Sequence, residues 1–79
     1  MTLRVISPSG VVFEGEVVKV GLPGTKGAFT VLHNHASLIT TLECGNIVYR
    51  VSESGDDHMI EISGGLATVE RNVVSVCLQ

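Results

Sequence analysis

The residues with the most chemical reach in this chain of 79 are His33 and His35, which flank Asn34. In an extended segment, side chains two apart point the same way, so the two imidazoles could share one metal ion. A metal centre needs a third or fourth ligand, and only distant His58, Cys44, Cys77 and scattered carboxylates could supply it. No metal is expected, and the pair reads as polar loop residues or as a contact for a partner. The letters also spell a nuclease label, but that class needs a larger metal-bearing motif and a basic surface, and neither is here. A serine or cysteine nucleophile would need a base and an orienting third group. No serine sits in a strand-to-helix elbow, and no glycine-rich loop opens a helix to hold phosphates. The run Gly21-Leu22-Pro23-Gly24-Thr25-Lys26-Gly27 has three glycines but lacks the spacing and the Lys-Ser/Thr ending of a phosphate loop. Ser63-Gly64-Gly65 places two adjacent glycines between strands, where they permit positive backbone dihedrals or a close approach by another chain. A structural role is the reading adopted, and the chain is expected to be no enzyme and to need no cofactor or nucleotide.

Without local chemistry, function must come from the surface that the elements build. The length fits one domain, residues 1–79. A chain this short buries only roughly 60% of the surface its unfolded form exposes, so it gains from a partner. Hydrophobic residues make up 44% and charged residues 16%, too apolar and too weakly charged for a disordered segment. The net charge is −3, and the basic residues Arg4, Lys19, Lys26, Arg50 and Arg71 are scattered singly, which leaves no stripe to neutralise phosphates. Nucleic acid is not an expected partner. Only two cysteines and no leader pattern imply a reducing, cytoplasmic setting. Cys44 and Cys77 could form one disulfide, but the reading adopted is a pair of buried free thiols acting as small hydrophobes. No apolar stretch approaches the roughly 20 residues that span a bilayer, so membrane association is expected through a partner.

Apolar residues come in short Val- and Ile-rich runs broken by Gly, Pro, Asn or Asp, and no run sustains a helical period. Strands are expected over 3–7, 11–22, 28–32, 38–42, 46–51, 58–63, 66–70 and 73–78. Ile47, Tyr49 and Val51 share one face, and Ile60 and Ile62 oppose Met59 and Glu61. The turn chemistry of Pro8-Ser9-Gly10, Pro23-Gly24-Thr25, Ser54-Gly55-Asp56-Asp57 and Arg71-Asn72 makes successive strands mostly antiparallel neighbours. Phe13-Glu14-Gly15-Glu16 interrupts the alternation of the long run, so 11–22 reads as bent or as two strands. Either a sandwich or a small barrel buries one face of each strand, and the all-β antiparallel sandwich is preferred.

The order of these landmarks resembles a known family. It starts with Leu3-Arg4-Val5-Ile6-Ser7-Pro8 and Gly10-Val11-Val12-Phe13-Glu14-Gly15. It continues with Leu22-Pro23-Gly24-Thr25-Lys26-Gly27-Ala28-Phe29, Val31-Leu32, His35-Ala36 and Leu38-Ile39-Thr40. Gly45, Ile62-Ser63-Gly64-Gly65, Val69 and Asn72-Val73-Val74-Ser75-Val76 complete it. Together they resemble the amino-terminal domain of the epsilon subunit of F-type ATP synthases, called delta in mitochondria. The resemblance implies a sandwich of about ten short strands. It also implies a non-catalytic rotor part in the central stalk, which binds the gamma subunit along one side and the membrane-embedded ring of c subunits at one end. Proton flow through the ring would then turn gamma.

Position by position, the resemblance implies gamma contacts at Ser7, His35, Thr40 and Ser63. Thr68 stands at a further such place, where an acidic residue is common. The c-ring contact is implied around Gly27, Ala28, His33 and Asn34, with Ala28 where a Glu is frequent. Ser37 replaces a Pro, and His33-Asn34 replaces a Pro-Gly. Family members usually add a carboxy-terminal pair of helices, and these are expected to be absent from a chain that stops at Gln79. The implied setting is peripheral, on the cytoplasmic face of a bacterial inner membrane. Two other all-β classes share this pattern. A biotinyl or lipoyl carrier would present a modified lysine in a characteristic hairpin, which Lys26 in Thr25-Lys26-Gly27 does not supply. A nucleic-acid-binding barrel would need aromatic platforms, and only Phe13, Phe29 and Tyr49 are aromatic.

Overall fold

The Val- and Ile-rich runs become nine strands and no helix in the computed structural model, which describes residues 1–79. They are β1 (Thr2–Ser7), β2 (Gly10–Glu16), β3 (Lys19–Leu22), β4 (Phe29–Val31), β5 (Leu38–Leu42), β6 (Gly45–Arg50), β7 (Asp57–Ile62), β8 (Gly65–Glu70) and β9 (Val73–Leu78). They form two sheets, in the orders β2-β1-β9-β8-β5 and β4-β3-β6-β7. The expected sandwich is the observed fold.

Alternation decides the core. Across β1, β9, β8 and β5 of the five-stranded sheet, Leu3, Val74, Val69 and Leu38 stand opposite one another, as do Val5, Val76, Ala67 and Thr40. All but Leu38 and Thr40, on the edge strand, are buried. Val20, Leu22, Val31, Ile47 and Ile62 face them from the other sheet. Each such side chain contributes about 1.5–3 kcal/mol by leaving water.

The long run over 11–22 is two strands, but the break is not at Phe13-Glu14-Gly15-Glu16. The chain leaves the first sheet after Glu16 and enters the second at Lys19, with Val17 buried at the crossing. A bulge lies earlier, at Val12, because Val5 pairs with Phe13 while Ile6 pairs with Val11. Gly15 instead leaves room for its neighbour, since a Cβ there would lie 3.3 Å from the Phe13 ring.

Six of the seven strand pairs are antiparallel, but only β1-β2, β3-β4, β6-β7 and β8-β9 join successive strands, fewer than the turns predict, and β1 and β9 pair in parallel. Parallel neighbours need a long crossover, and here most of the chain serves as one. The expectation of buried cysteines is corrected: Cys44 and Cys77 are free and both exposed. Inward Val74 and Val76 turn Cys77 outward, and Cys44 lies in the β5–β6 connection. Val51 likewise falls just beyond β6 and is exposed, so only Ile47 and Tyr49 of that trio serve the core.

Where β1 and β2 meet, the Thr2 hydroxyl donates to Glu16, and the amino-terminal ammonium lies 3.7 Å from the same carboxylate. The Thr2 hydrogen bond, and then the ammonium charge, hold the Glu16 carboxyl below its ordinary value of 4.5. A depressed folded value makes the carboxylate's contribution complete above pH 4.5, and it fades as pH falls through the lower folded value. Glu16→Gln should therefore melt with a flatter acid limb than the parent when thermal scans are run from about pH 7 to about pH 3. Parallel acid limbs for the two proteins would remove this contact from the acid response.

Candidate partner-binding surface

The sandwich has two ends, and the predicted contact residues divide between them. One end carries the β1–β2 turn, the loop over 23–28, the β5–β6 connection and the Ser63–Gly64 turn. The rung Ile6, Cys77, Leu66 and Thr41 leads into it. Thr25 N donates to Thr41 O at 3.0 Å, and Glu43 N donates to Pro23 O at 2.9 Å, so the loop over 23–28 is tied to the end of β5. The opposite end carries the loop over 32–37 and the Arg71–Asn72 turn, where Asn34 and Asn72 bond to each other.

Ser63, Thr40 and His35 follow the β5 edge from the first end to the second. Ser63 is exposed, and its hydroxyl makes no hydrogen bond within the chain. Thr40 is half-buried in mid-strand. His35 is half-buried just before β5, with Nδ1 at 2.7 Å from Ala36 O. Ser7 does not join this line. It belongs to β1, three strands from β5 in the sheet order, which is about 14 Å at ordinary strand spacing. Its Oγ lies 3.0 Å from Ser9 Oγ and also accepts from Ser9 N, so Ser7 fastens its own turn.

The four residues read as c-ring contacts are not brought together. Gly27 and Ala28 precede β4 at the first end, and His33 and Asn34 follow it at the second. All four are exposed. The pairing of Leu22 with Phe29 and of Val20 with Val31 sets this direction.

Apolar exposure adds what the residue-by-residue reading missed. The outer face of the five-stranded sheet shows Ile39 at 74%, Leu66 at 43% and Val73 at 38% exposure. Ile39 stands opposite Thr68 on β8, so Thr68 belongs to this face. The signal was present in the alternation, because residues between inward ones must point outward and these are not polar.

Two shallow surface grooves, of about 310 and 360 Å³, offer little chemistry. The first has Lys19 as its one charged residue and the second Glu70, and neither pairs a nucleophile with a base. No three His, Cys, Asp or Glu side chains gather where they could hold a metal ion. Phe13 packs tilted against Tyr49 at 4.4 Å between centroids, and Phe29 packs against the core, so the aromatics form no open platform for bases.

A family model described as "ATP synthase, Delta/Epsilon chain, beta-sandwich domain" matches residues 1–79. Among curated proteins, the chain is 46% identical over 76 residues to an ATP synthase epsilon chain of Synechocystis, covering 96% of this chain and 54% of that one. It is 40% identical to the epsilon chain of a Nostoc strain, again covering 96% of this chain and 56% of the relative. The chain thus spans about half the length of the curated relatives it matches. Its fold superposes with a TM-score of 0.85 on a chain of the Euglena gracilis mitochondrial ATP synthase, OSCP/F1/c-ring, at 24% identity, covering 96% of this chain and 48% of that one. The corresponding values are 0.83, 11%, 100% and 63% for the Tetrahymena thermophila mitochondrial ATP synthase central stalk/c-ring. At these identities the structural likeness speaks for the fold.

Proposed function

This chain belongs to the ATP synthase delta/epsilon-chain β-sandwich family, and we propose that it is a non-catalytic rotor part of the central stalk, linking gamma to the c-ring. The end-to-end family match carries this reading, because it takes in every strand of the sandwich. A coupling part must transmit torque without yielding. Two sheets closed over a core of 13 buried residues make a stiff body of that kind. Exposed Ile39 and Leu66, diagonal neighbours on β5 and β8, are apolar residues that a covering partner would bury.

In this proposal gamma lies along the β5 edge, meeting His35, Thr40 and Ser63, and wraps onto the outer face of the sheet at Ile39 and Thr68. Ser7 contributes at the margin, through its turn. A ring met end-on touches one end of the sandwich, and Gly27 and Ala28 provide it. His33 and Asn34 share the His35 loop and serve that side instead. Without a charged residue at position 28, the ring contact rests on shape and backbone rather than on an ion pair. The domain works at the cytoplasmic face of a bacterial inner membrane and reaches the membrane through its partners. Purification of the tagged protein from its native membranes should bring down gamma and the c subunit, identified by mass. Recovery of neither would end the proposal.

The same reading predicts that the 79-residue chain neither hydrolyses nor binds ATP, for it has no phosphate loop. Titration calorimetry with Mg-ATP should give only heats of dilution, and a saturable isotherm would contradict it.

A further inference from the structure

The only non-glycine residues at positive φ are Asn34 at 61°, Arg71 at 53° and Asn72 at 62°. Arg71 and Asn72 form a two-residue hairpin loop between Glu70 and Val73, which pair across β8 and β9. Such a loop requires positive φ at both places. Asn34 is far away in sequence and has no hairpin of its own to explain its conformation. It meets Asn72 instead. Its N–H donates to Asn72 Oδ1 at 2.6 Å, and Asn72 Nδ2 donates to Asn34 Oδ1 at 2.8 Å. This clasp spans 38 positions and fastens the loop over 32–37 to the β8–β9 turn.

His35 comes next. Its N–H donates to Leu32 O at 3.1 Å, and its ring Nδ1 stands 2.7 Å from Ala36 O. A carbonyl oxygen only accepts, so Nδ1 must carry the proton. In the neutral ring Nε2 is then an acceptor, and it has no partner within the chain. We propose that Asn72 is a positioning residue for the gamma contact: through Asn34 it holds this loop so that His35 offers Nε2 to a hydrogen-bond donor on gamma. The proposal rests on the gamma reading above and names the chemistry of the contact.

The test has a spectroscopic arm and a binding arm. Long-range proton–nitrogen NMR on the histidine-labelled chain should show His35 mainly as the Nδ1–H tautomer, against the Nε2–H preference of free neutral histidine. Asn72→Gly removes the amide but keeps the turn, since glycine takes positive φ without strain. Asn34→Gly keeps the backbone N–H that donates to Asn72 Oδ1 and removes only the side-chain bond of the clasp. Both should melt close to the parent, shift His35 toward Nε2–H, and lower affinity for purified gamma by about 5–10-fold, the scale of one hydrogen bond. In a His35→Ala background neither variant should weaken binding further. A parent His35 already in the Nε2–H form would overturn the proposal. So would clasp variants that leave tautomer and affinity unchanged, or a loss equally large without His35. If His35→Ala itself binds gamma like the parent, the gamma reading at this loop is wrong and the proposal falls with it.

Discussion

Gly65→Ala should destabilise the domain by about 2 kcal/mol or more, a size reserved for specific mechanisms such as forced backbone movement. For a domain of this size that lowers the melting temperature by roughly 10 °C. A Cβ at Gly65 would stand 2.5 Å from the Cys77 carbonyl oxygen and 3.3 Å from Leu78 Cα. These are backbone atoms of the neighbouring strand and cannot swing aside. Gly65 pairs with Leu78 on one side and Leu42 on the other, so the displaced backbone would spread through β9, β8 and β5. Gly21→Ala is the control. There the nearest atoms are at 3.7 Å, an ordinary contact, and the variant should melt within a few degrees of the parent or slightly above it. Equal melting curves for Gly65→Ala and the parent would refute the close-approach account of the glycine pair.

His35→Asp and Ser63→Arg should each leave the isolated domain folded and weaken gamma binding by about 30-fold or more, corresponding to roughly 2 kcal/mol. Ser63 is exposed with a free hydroxyl, and His35 packs against no charged neighbour in its loop. Neither change therefore disturbs the core. In the interface, a new charge must shed its water without a matched partner, which costs several kcal/mol by order of magnitude. Proton-driven ATP synthesis by the assembled enzyme should fall in step. Each variant needs a melting curve beside a pull-down by gamma. Normal melting with undiminished capture would mean that gamma does not lie along the β5 edge.

These two experiments probe different kinds of legibility. The glycine pair at Gly64–Gly65 stands out in the sequence, but two readings fit it, a local backbone need or a partner's approach. The Cys77 carbonyl beneath Gly65 supports the first, and that carbonyl comes from a strand twelve positions on. The proposed gamma contacts come from family likeness rather than from periodicity. Periodicity could still have found Ile39, Leu66 and Val73, apolar residues on an outward phase.

What the sequence by itself determined is the local geometry. The period of two in Leu3 and Val5, in Ala67 and Val69, and in Val74 and Val76 sets which face each strand buries, because successive side chains must point oppositely. Turn residues such as Arg71-Asn72 likewise set where strands end. Only the tertiary structure decided the partners. The parallel pairing of β1 with β9, the passage from sheet to sheet at Val17, the line of Ser63, Thr40 and His35 along β5 and the meeting of Asn34 with Asn72 all join distant segments. Alternation is a property of a few neighbouring residues and is the same whichever strand comes alongside. Which strand does so is settled by closing one core over all nine at once.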